Sequence, residues 1–304
     1  MKRLFSIGIP VKNEFENILE LKKQITNLLN LEKYSLLKFE VLINDNLSTD
    51  GGTSLLMDWA ASEKNVTLFV LDTPLDFQAT VRDLMCKATG DGFALFQSDM
   101  QDPISVLEKM LDTWLVNPNH IVAGKIIKRK ESTAVNISRK LFYLLLDASS
   151  DKTYVNGFQD FYILPKYVYS QVTNLPSQNL FIRGFLNYTF TDIIYIDYKR
   201  ALRVAGKTKF NFSAMYDLAL DGLLLYGRNF IRLVSTLSFF VFLISALGSL
   251  ILIVLWLVGF DSGARGWMSI IFGITLILSF LGFVVGILLE YLIRIYRRLQ
   301  LTQH

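Results

Sequence analysis

Two uncharged apolar runs, Leu233 to Phe260 and Gly266 to Leu289, are separated by only five residues, Asp261 to Arg265. At about 1.5 Å of rise per residue, either run as a helix is long enough to cross a hydrocarbon core of about 30 Å. Uncharged stretches of this length exceed ordinary core helices, so the sequence predicts a two-helix membrane hairpin over 232–304, with spans near 233–260 and 266–290 and a basic tail. A chain anchored this way meets at least one of its partners in the bilayer.

Flanking charge orients the hairpin. Arg228 and Arg232 precede the first run and Arg294, Arg297 and Arg298 follow the second, whereas the connecting loop holds one Arg265 offset by Asp261. Both ends are therefore expected on the cytoplasmic side of an inner, cytoplasmic membrane crossed more than once. The apolar stretch after Lys2 and Arg3 is short, contains Pro10 and stops at Lys12, so it does not read as a secretory signal.

The net charge of +4 resides entirely in the segment from Arg228 to Arg298, leaving 25 basic and 25 acidic residues elsewhere. That balance argues against a nucleic-acid surface. With a single cysteine no intrachain disulfide can form, and Cys86 is read as a packing residue.

The first 125 residues alternate strand and helix patterns. Strands are expected at Leu4–Ile9, Phe39–Asn44, Val66–Leu71, Gly92–Gln97 and Ile121–Lys125. Helices are expected at Glu16–Leu29, Thr53–Glu63, Phe77–Thr89 and Ser105–Asn117. Strict alternation predicts an α/β fold with a mostly parallel sheet and helices on both faces. Ligands of such sheets sit beyond the carboxyl ends of the strands. Those ends carry Pro10-Val11-Lys12-Asn13-Glu14, Asn44-Asp45-Asn46-Leu47-Ser48-Thr49-Asp50-Gly51 and Gln97-Ser98-Asp99-Met100-Gln101-Asp102-Pro103. Singly these have local readings: Asp50-Gly51 as a turn, Asp102 as the N-cap of the helix after Pro103, Asn13 as a cap of the first helix. Together they place carboxylates along one edge of the sheet.

Several chemistries lack their residues. The turn after the first strand is not a G-x-G-x-x-G, and the Gly206-Lys207-Thr208 string has Ala201 in place of the leading glycine of a phosphate loop. His120, His304 and Cys86 are too few for a nitrogen or sulfur metal centre, so any metal must be held by oxygen, which points to Mg²⁺ or Mn²⁺ and a phosphate-bearing substrate.

In order and spacing, Pro10-x-x-Asn13-Glu14, Asp45-Asn46-x-Ser48-Thr49-Asp50-Gly51 and Asp99-x-Gln101-Asp102-Pro103 resemble the nucleotide-sugar half of family 2 glycosyltransferases. Gly157-Phe158-Gln159-Asp160-Phe161, Phe181-Ile182-Arg183-Gly184 and the string Tyr198 to Phe210 resemble polyisoprenyl-phosphate glycosyltransferases, the subgroup of dolichol-phosphate mannose synthase and the bactoprenol glucosyltransferases. The resemblance covers nearly the whole chain and implies a GT-A-type cytoplasmic catalytic domain over 1–212, a juxtamembrane amphipathic helix over 213–231 and the terminal hairpin. A further interfacial helix is expected near 135–146, where Leu141, Leu144 and Leu145 are flanked by Arg139 and Lys140.

The resemblance implies inverting transfer of one sugar, glucose or another hexose or N-acetylhexosamine, from a nucleotide donor such as UDP-glucose to undecaprenyl phosphate, for modification of the cell envelope or O-antigen. It assigns Asp160 and Asp99 as catalytic, Pro10, Glu14, Asp45 and Asp99 to the donor, Asp99 and Gln101 to Mg²⁺ or Mn²⁺, and Arg183, Arg200, Arg203 and Lys209 to phosphates. A homo-oligomer, a lipid flippase and a downstream membrane glycosyltransferase are compatible partners. Two departures stand out: Gln97 occupies the first position of the usual Asp-x-Asp, and Pro74-Leu75-Asp76-Phe77 replaces an Asn-x-Gly-His string. A processive polysaccharide synthase and, because of Gln97, a nucleotide-sugar-binding scaffold are the alternatives.

Overall fold

The computed structural model describes residues 3–127, 158–175, 180–200, 228–258 and 267–302. They fall into two compact units, one built on a sheet and one containing the two long C-terminal helices.

The sheet has seven strands: β1 (Arg3–Val11), β2 (Leu37–Asp45), β3 (Val66–Val70), β4 (Gly92–Leu95), β5 (Ile121–Ile126), β6 (Phe158–Pro165) and β7 (Ile193–Tyr198), in the order β3-β2-β1-β4-β6-β5-β7. β1, β2, β3 and β4 pair in parallel, as do β5 and β7, while β6 runs antiparallel to both β4 and β5. Between the first five strands lie α1 (Phe15–Leu29), α2 (Gly52–Ser62), α3 (Phe77–Lys87) and α4 (Ile104–Val116). The later part of the sheet unit adds α5 (Lys166–Thr173) and α6 (Ile182–Thr189).

Period-two alternation divides the core. Phe5, Ile7, Ile9, Val41, Ile43, Ala94, Phe96, Phe161 and Ile163 face one layer, where α1 contributes Ile18, Leu21, Ile25 and Leu28, α2 Leu56 and Trp59, and α4 Leu107, Met110, Leu111 and Trp114. Leu42, Phe93, Leu95, Tyr162 and Leu164 face the other, against Val81, Leu84 and Met85 of α3, Val168, Tyr169 and Val172 of α5, and Ile182 and Leu186 of α6. The spacing of three and four on each helix turns one stripe inward. Central β1 is buried on both faces from Phe5 onward, as a strand covered by helices on both sides must be. The expected α/β architecture is thus present, and its four helices and five strands match the sequence pattern to within two residues at most ends.

Cys86 departs from its expected place. It is exposed, because the inward stripe of α3 is carried by Val81, Leu84 and Met85 and the next residue turns outward.

The second unit contains α7 (Arg228–Leu257) and α8 (Trp267–Thr302). Both are long and apolar enough to cross a membrane, through Thr236–Leu255 and Ile270–Leu288. Phe239 stacks near Phe283 and Phe242 near Phe280, and Gly248 lets the Phe272 ring approach where a Cβ would collide. Both helices overrun their expected ends: α7 begins at Arg228, and α8 continues through the basic tail to Thr302, since Glu290 to Leu301 contains neither glycine nor proline to stop it. The proposed interfacial helix at 135–146, residues 213–227 of the juxtamembrane helix and the loop Asp261 to Arg265 lie outside the described residues.

Candidate active site

Strand order makes the location. The chain leaves β1 first toward β2 and β3 and later returns to the other side of β1 with β4, so a crevice opens beyond the carboxyl ends of β1 and β4. Ser98 closes its floor by donating from Oγ to the Pro10 carbonyl at 2.9 Å. Among the described residues, three non-glycine residues adopt left-handed backbone, and each follows a strand of the parallel part of the sheet: Asn13 (φ 53°) after β1, Leu47 (φ 54°) after β2 and Met100 (φ 56°) after β4. Such conformations cost about 1–3 kcal/mol each and gather where loop shape matters more than local stability.

The first two loops lace together. The Asn13 amide nitrogen donates to Ser48 Oγ at 2.8 Å, and the Asn13 side-chain Oδ1 accepts from the Thr49 amide at 2.7 Å. Asp50 Oδ2 accepts from the Phe15 amide at 2.8 Å, and Oδ1 from the Gly52 amide at 2.9 Å. The first turn of α1 is therefore capped by Asp50 from the neighbouring loop, correcting the expectation that Asn13 caps it. Gly51, at φ 86°, makes the expected turn. Asp45 is fully buried, accepting from the Ser48 amide at 3.1 Å and from the Thr53 hydroxyl at 2.5 Å. Glu14 is buried with Oε2 accepting from Asn17 Nδ2 at 2.6 Å. The Asn46 amide grips both main-chain polar groups of Leu75, and Asp76 caps α3 through the Ala79 amide, so the Pro74 to Phe77 segment is firmly anchored.

The same edge is completed by strands distant in sequence. β6 pairs with β4 so that Leu95 opposes Tyr162, and two steps further the same antiparallel register sets Gln97 opposite Asp160. The Gln97 Nε2 indeed donates to the Asp160 carbonyl at 3.1 Å. β7 runs parallel to β5 and delivers Tyr198 and Arg200 to the same edge.

Here the charged groups meet. Arg200 lies 3.7 Å from Asp99 Oδ2 and 3.3 Å from Asp102 Oδ1, and its Nη2 donates to Gln97 Oε1 at 3.4 Å. Arg183 Nε lies 3.1 Å from Asp160 Oδ2. Asp99 Oδ1 accepts from the Gln101 amide at 3.2 Å. Asp102 is not the N-cap expected of it. Pro103 occupies the cap position, and the Asp102 carboxylate, 1% exposed, turns inward to accept the Tyr198 hydroxyl at 2.5 Å. Burial pushes its carboxyl pKa up, opposed by Arg200 and by the Tyr198 hydrogen bond. Burial, assisted by Asp160, likewise raises the Tyr162 hydroxyl.

The structure thus brings together Asp99, Gln101, Asp160, Arg183 and Arg200, with Pro10 near the end of β1, Asp45 at the end of β2 and Glu14 in the turn after β1; Arg203 and Lys209 lie outside the described residues. Sequence reasoning quoted Asp102 and Tyr198 within the strings that carry the resemblance but gave neither a site role, and it did not foresee that the two would meet. The donor set is all oxygen and suits a hard divalent cation, yet no group of three or more acidic, histidine or cysteine residues converges on a metal position among the described residues. Asp99 and Gln101 would hold such an ion only with further ligands, which fits a cation that shares its coordination with phosphate oxygens.

The family model described as "Glycosyl transferase family 2" matches residues 6–185. The chain is similar to a bactoprenol glucosyl transferase of Shigella phage SfV, 28% identical over 96% of this chain and 94% of that one. It is also similar to a prophage bactoprenol glucosyl transferase homolog of Escherichia coli K12, 24% identical over 96% and 94%. Among solved structures, glucosyl-3-phosphoglycerate synthase of Mycobacterium tuberculosis, crystallised with Mn²⁺, UDP-glucose and phosphoglyceric acid, shares the fold with a TM-score of 0.51, 14% identity and coverage of 73% of this chain and 78% of that one.

Proposed function

The chain belongs to glycosyl transferase family 2 and is a glycosyltransferase with a GT-A-type fold, and from that premise we propose that it moves a single sugar from a nucleotide donor to a polyprenyl phosphate at a membrane surface. The observation that carries the reading is the meeting of Asp99, Asp160, Arg183 and Arg200 at the carboxyl edge of the sheet, in a chain 96% of which aligns with a bactoprenol glucosyl transferase. The donor we favour is UDP-glucose, and the acceptor undecaprenyl phosphate on the cytoplasmic leaflet. The apolar hairpin and its basic flanks support this placement.

In this reaction an acceptor phosphate oxygen attacks the anomeric carbon, the bond from that carbon to the donor phosphate breaks, and the nucleoside diphosphate leaves with the electron pair, inverting the centre. A divalent ion, when bound, supplies positive charge to the departing diphosphate. Asp99 and the side-chain carbonyl oxygen of Gln101 are our candidates to hold it. Glu14, Asp45 and the main chain at Pro10 shape the nucleotide pocket. Arg200, with Arg203 and Lys209, stabilises phosphate charge as it grows.

A phosphate monoester, with a second pKa near ~6, is largely dianionic at neutral pH and scarcely needs a base. Asp160 therefore serves best by orienting the acceptor and facing the positive charge that develops on the sugar, with Arg183 Nε 3.1 Å from its carboxylate to hold it in place.

The test is purified full-length protein with undecaprenyl phosphate, Mg²⁺ or Mn²⁺ and a panel of nucleotide sugars. One sugar per lipid is expected. A polymer would mean a processive synthase, and no glycolipid with any donor would reject the reaction.

A further inference from the structure

We propose that Gln97 is a positioning residue, whose neutral carboxamide ties the main chain at Asp160 to the guanidinium of Arg200 and thereby sets both groups beside Asp99. The inference rests on the glycosyl-transfer reading and deepens it at the position where the family pattern has a carboxylate.

An amide offers a donor at one end and an acceptor at the other, and here both ends are used correctly: Nε2 donates to the Asp160 carbonyl at 3.1 Å and Oε1 accepts from Arg200 Nη2 at 3.4 Å. A carboxylate accepts only, so it would face the Asp160 carbonyl oxygen with another oxygen. Charge gives a second reason. Asp99, Asp102 and Asp160 already stand against Arg183 and Arg200, and a fourth carboxylate would draw Arg200 away from Asp99 and Asp102. The strand register gives a third, because residue 97, two beyond the end of β4, stands opposite Asp160, where a side chain can reach across to β6. Gln97 is thus suited to this site as a cross-tie, independent of any part in holding metal.

Full-length wild-type, Gln97→Met and Gln97→Glu proteins, in nanodiscs with undecaprenyl phosphate, test this. Methionine keeps the size and neutrality but makes neither hydrogen bond. Gln97→Met should lower kcat tenfold or more, with the donor KM and the Mn²⁺ affinity read by electron paramagnetic resonance both within threefold of wild type. Gln97→Glu should turn over no faster than wild type. Wild-type kcat in Gln97→Met, a Mn²⁺ affinity that falls in step with its activity, or a Gln97→Glu enzyme faster than wild type would each overturn the proposal. Thermal unfolding of Gln97→Met, Arg200→Met and the double variant gives a readout without turnover: non-additive shifts support the tie and additive shifts refute it. An inactive wild type with every donor would instead sink the glycosyl-transfer reading.

Discussion

Arg183 Nε and Asp160 Oδ2 stand 3.1 Å apart, joining α6 to the start of β6 as an ion pair whose angle leaves Nε without a hydrogen bond among the described residues. Asp160 Oδ1, also buried, has no hydrogen-bond partner among the described residues. The pair is held in place yet retains unused hydrogen-bonding capacity. Asp160→Asn should lower turnover at least tenfold while the far-ultraviolet circular dichroism stays that of wild type. Arg183→Lys, which keeps the charge and loses the planar fork, should retain intermediate activity in the same glycolipid assay.

Asp102 is buried under two partners, Tyr198 and Arg200. Asp102→Ala strands the Tyr198 hydroxyl and part of the Arg200 charge, at a cost of about 1–3 kcal/mol. Denaturant unfolding should show that loss. Tyr198→Phe, which leaves the ion pair intact, should show a smaller one.

Asp50 caps α1 from another loop, so its loss acts at two places at once. Asp50→Ala should destabilise by about 1 kcal/mol. Hydrogen exchange at the Phe15 and Gly52 amides should quicken together, whereas a purely local role would quicken only Gly52.

Tyr169 donates to the Gly90 carbonyl at 2.6 Å, and burial, with Glu40 and Asp91 adding to it, pushes its pKa up to about 12. The folded state favours the neutral phenol, so this contribution is complete below the unfolded value near ~10 and is lost as pH rises from there toward 12. Tyr169→Phe should flatten the fall in melting temperature across that window.

Leu47 holds left-handed backbone at φ 54°, a conformation that glycine adopts freely. Leu47→Gly relieves that strain but adds chain entropy to the unfolded state, so the melting temperature should change little while the donor KM rises, because the loop after β2 is no longer held to one shape.

Much of this was legible in the sequence for a physical reason. In the first 125 residues, apolar periodicity switches between two and three-to-four at each element, and buried stripes such as Ile18-Leu21-Ile25-Leu28 admit one reading. The carboxylates after β1, β2 and β4 followed from the alternation alone. What stayed hidden depended on register and direction. Whether Asp102 points outward as a cap or inward to Tyr198 is decided by a partner 96 positions away. The Gln97 cross-tie depends on β6 entering antiparallel beside β4, which no local pattern announces. The exposure of Cys86 was missed because a small sulfur residue beside an apolar stripe carries no sign of which side it faces.

The placement of β6 between β4 and β5 also has a meaning for synthesis. A chain emerging from the ribosome amino end first can join β1 to β4, but β5 must wait for a neighbour that follows it. Until then the nascent edge displays Asp99 and Asp102 alone, and the arginines that balance the site, Arg183 and Arg200, follow only after β6 has been made. The carboxyl edge is thus completed only when Arg200, just beyond β7, has been synthesised.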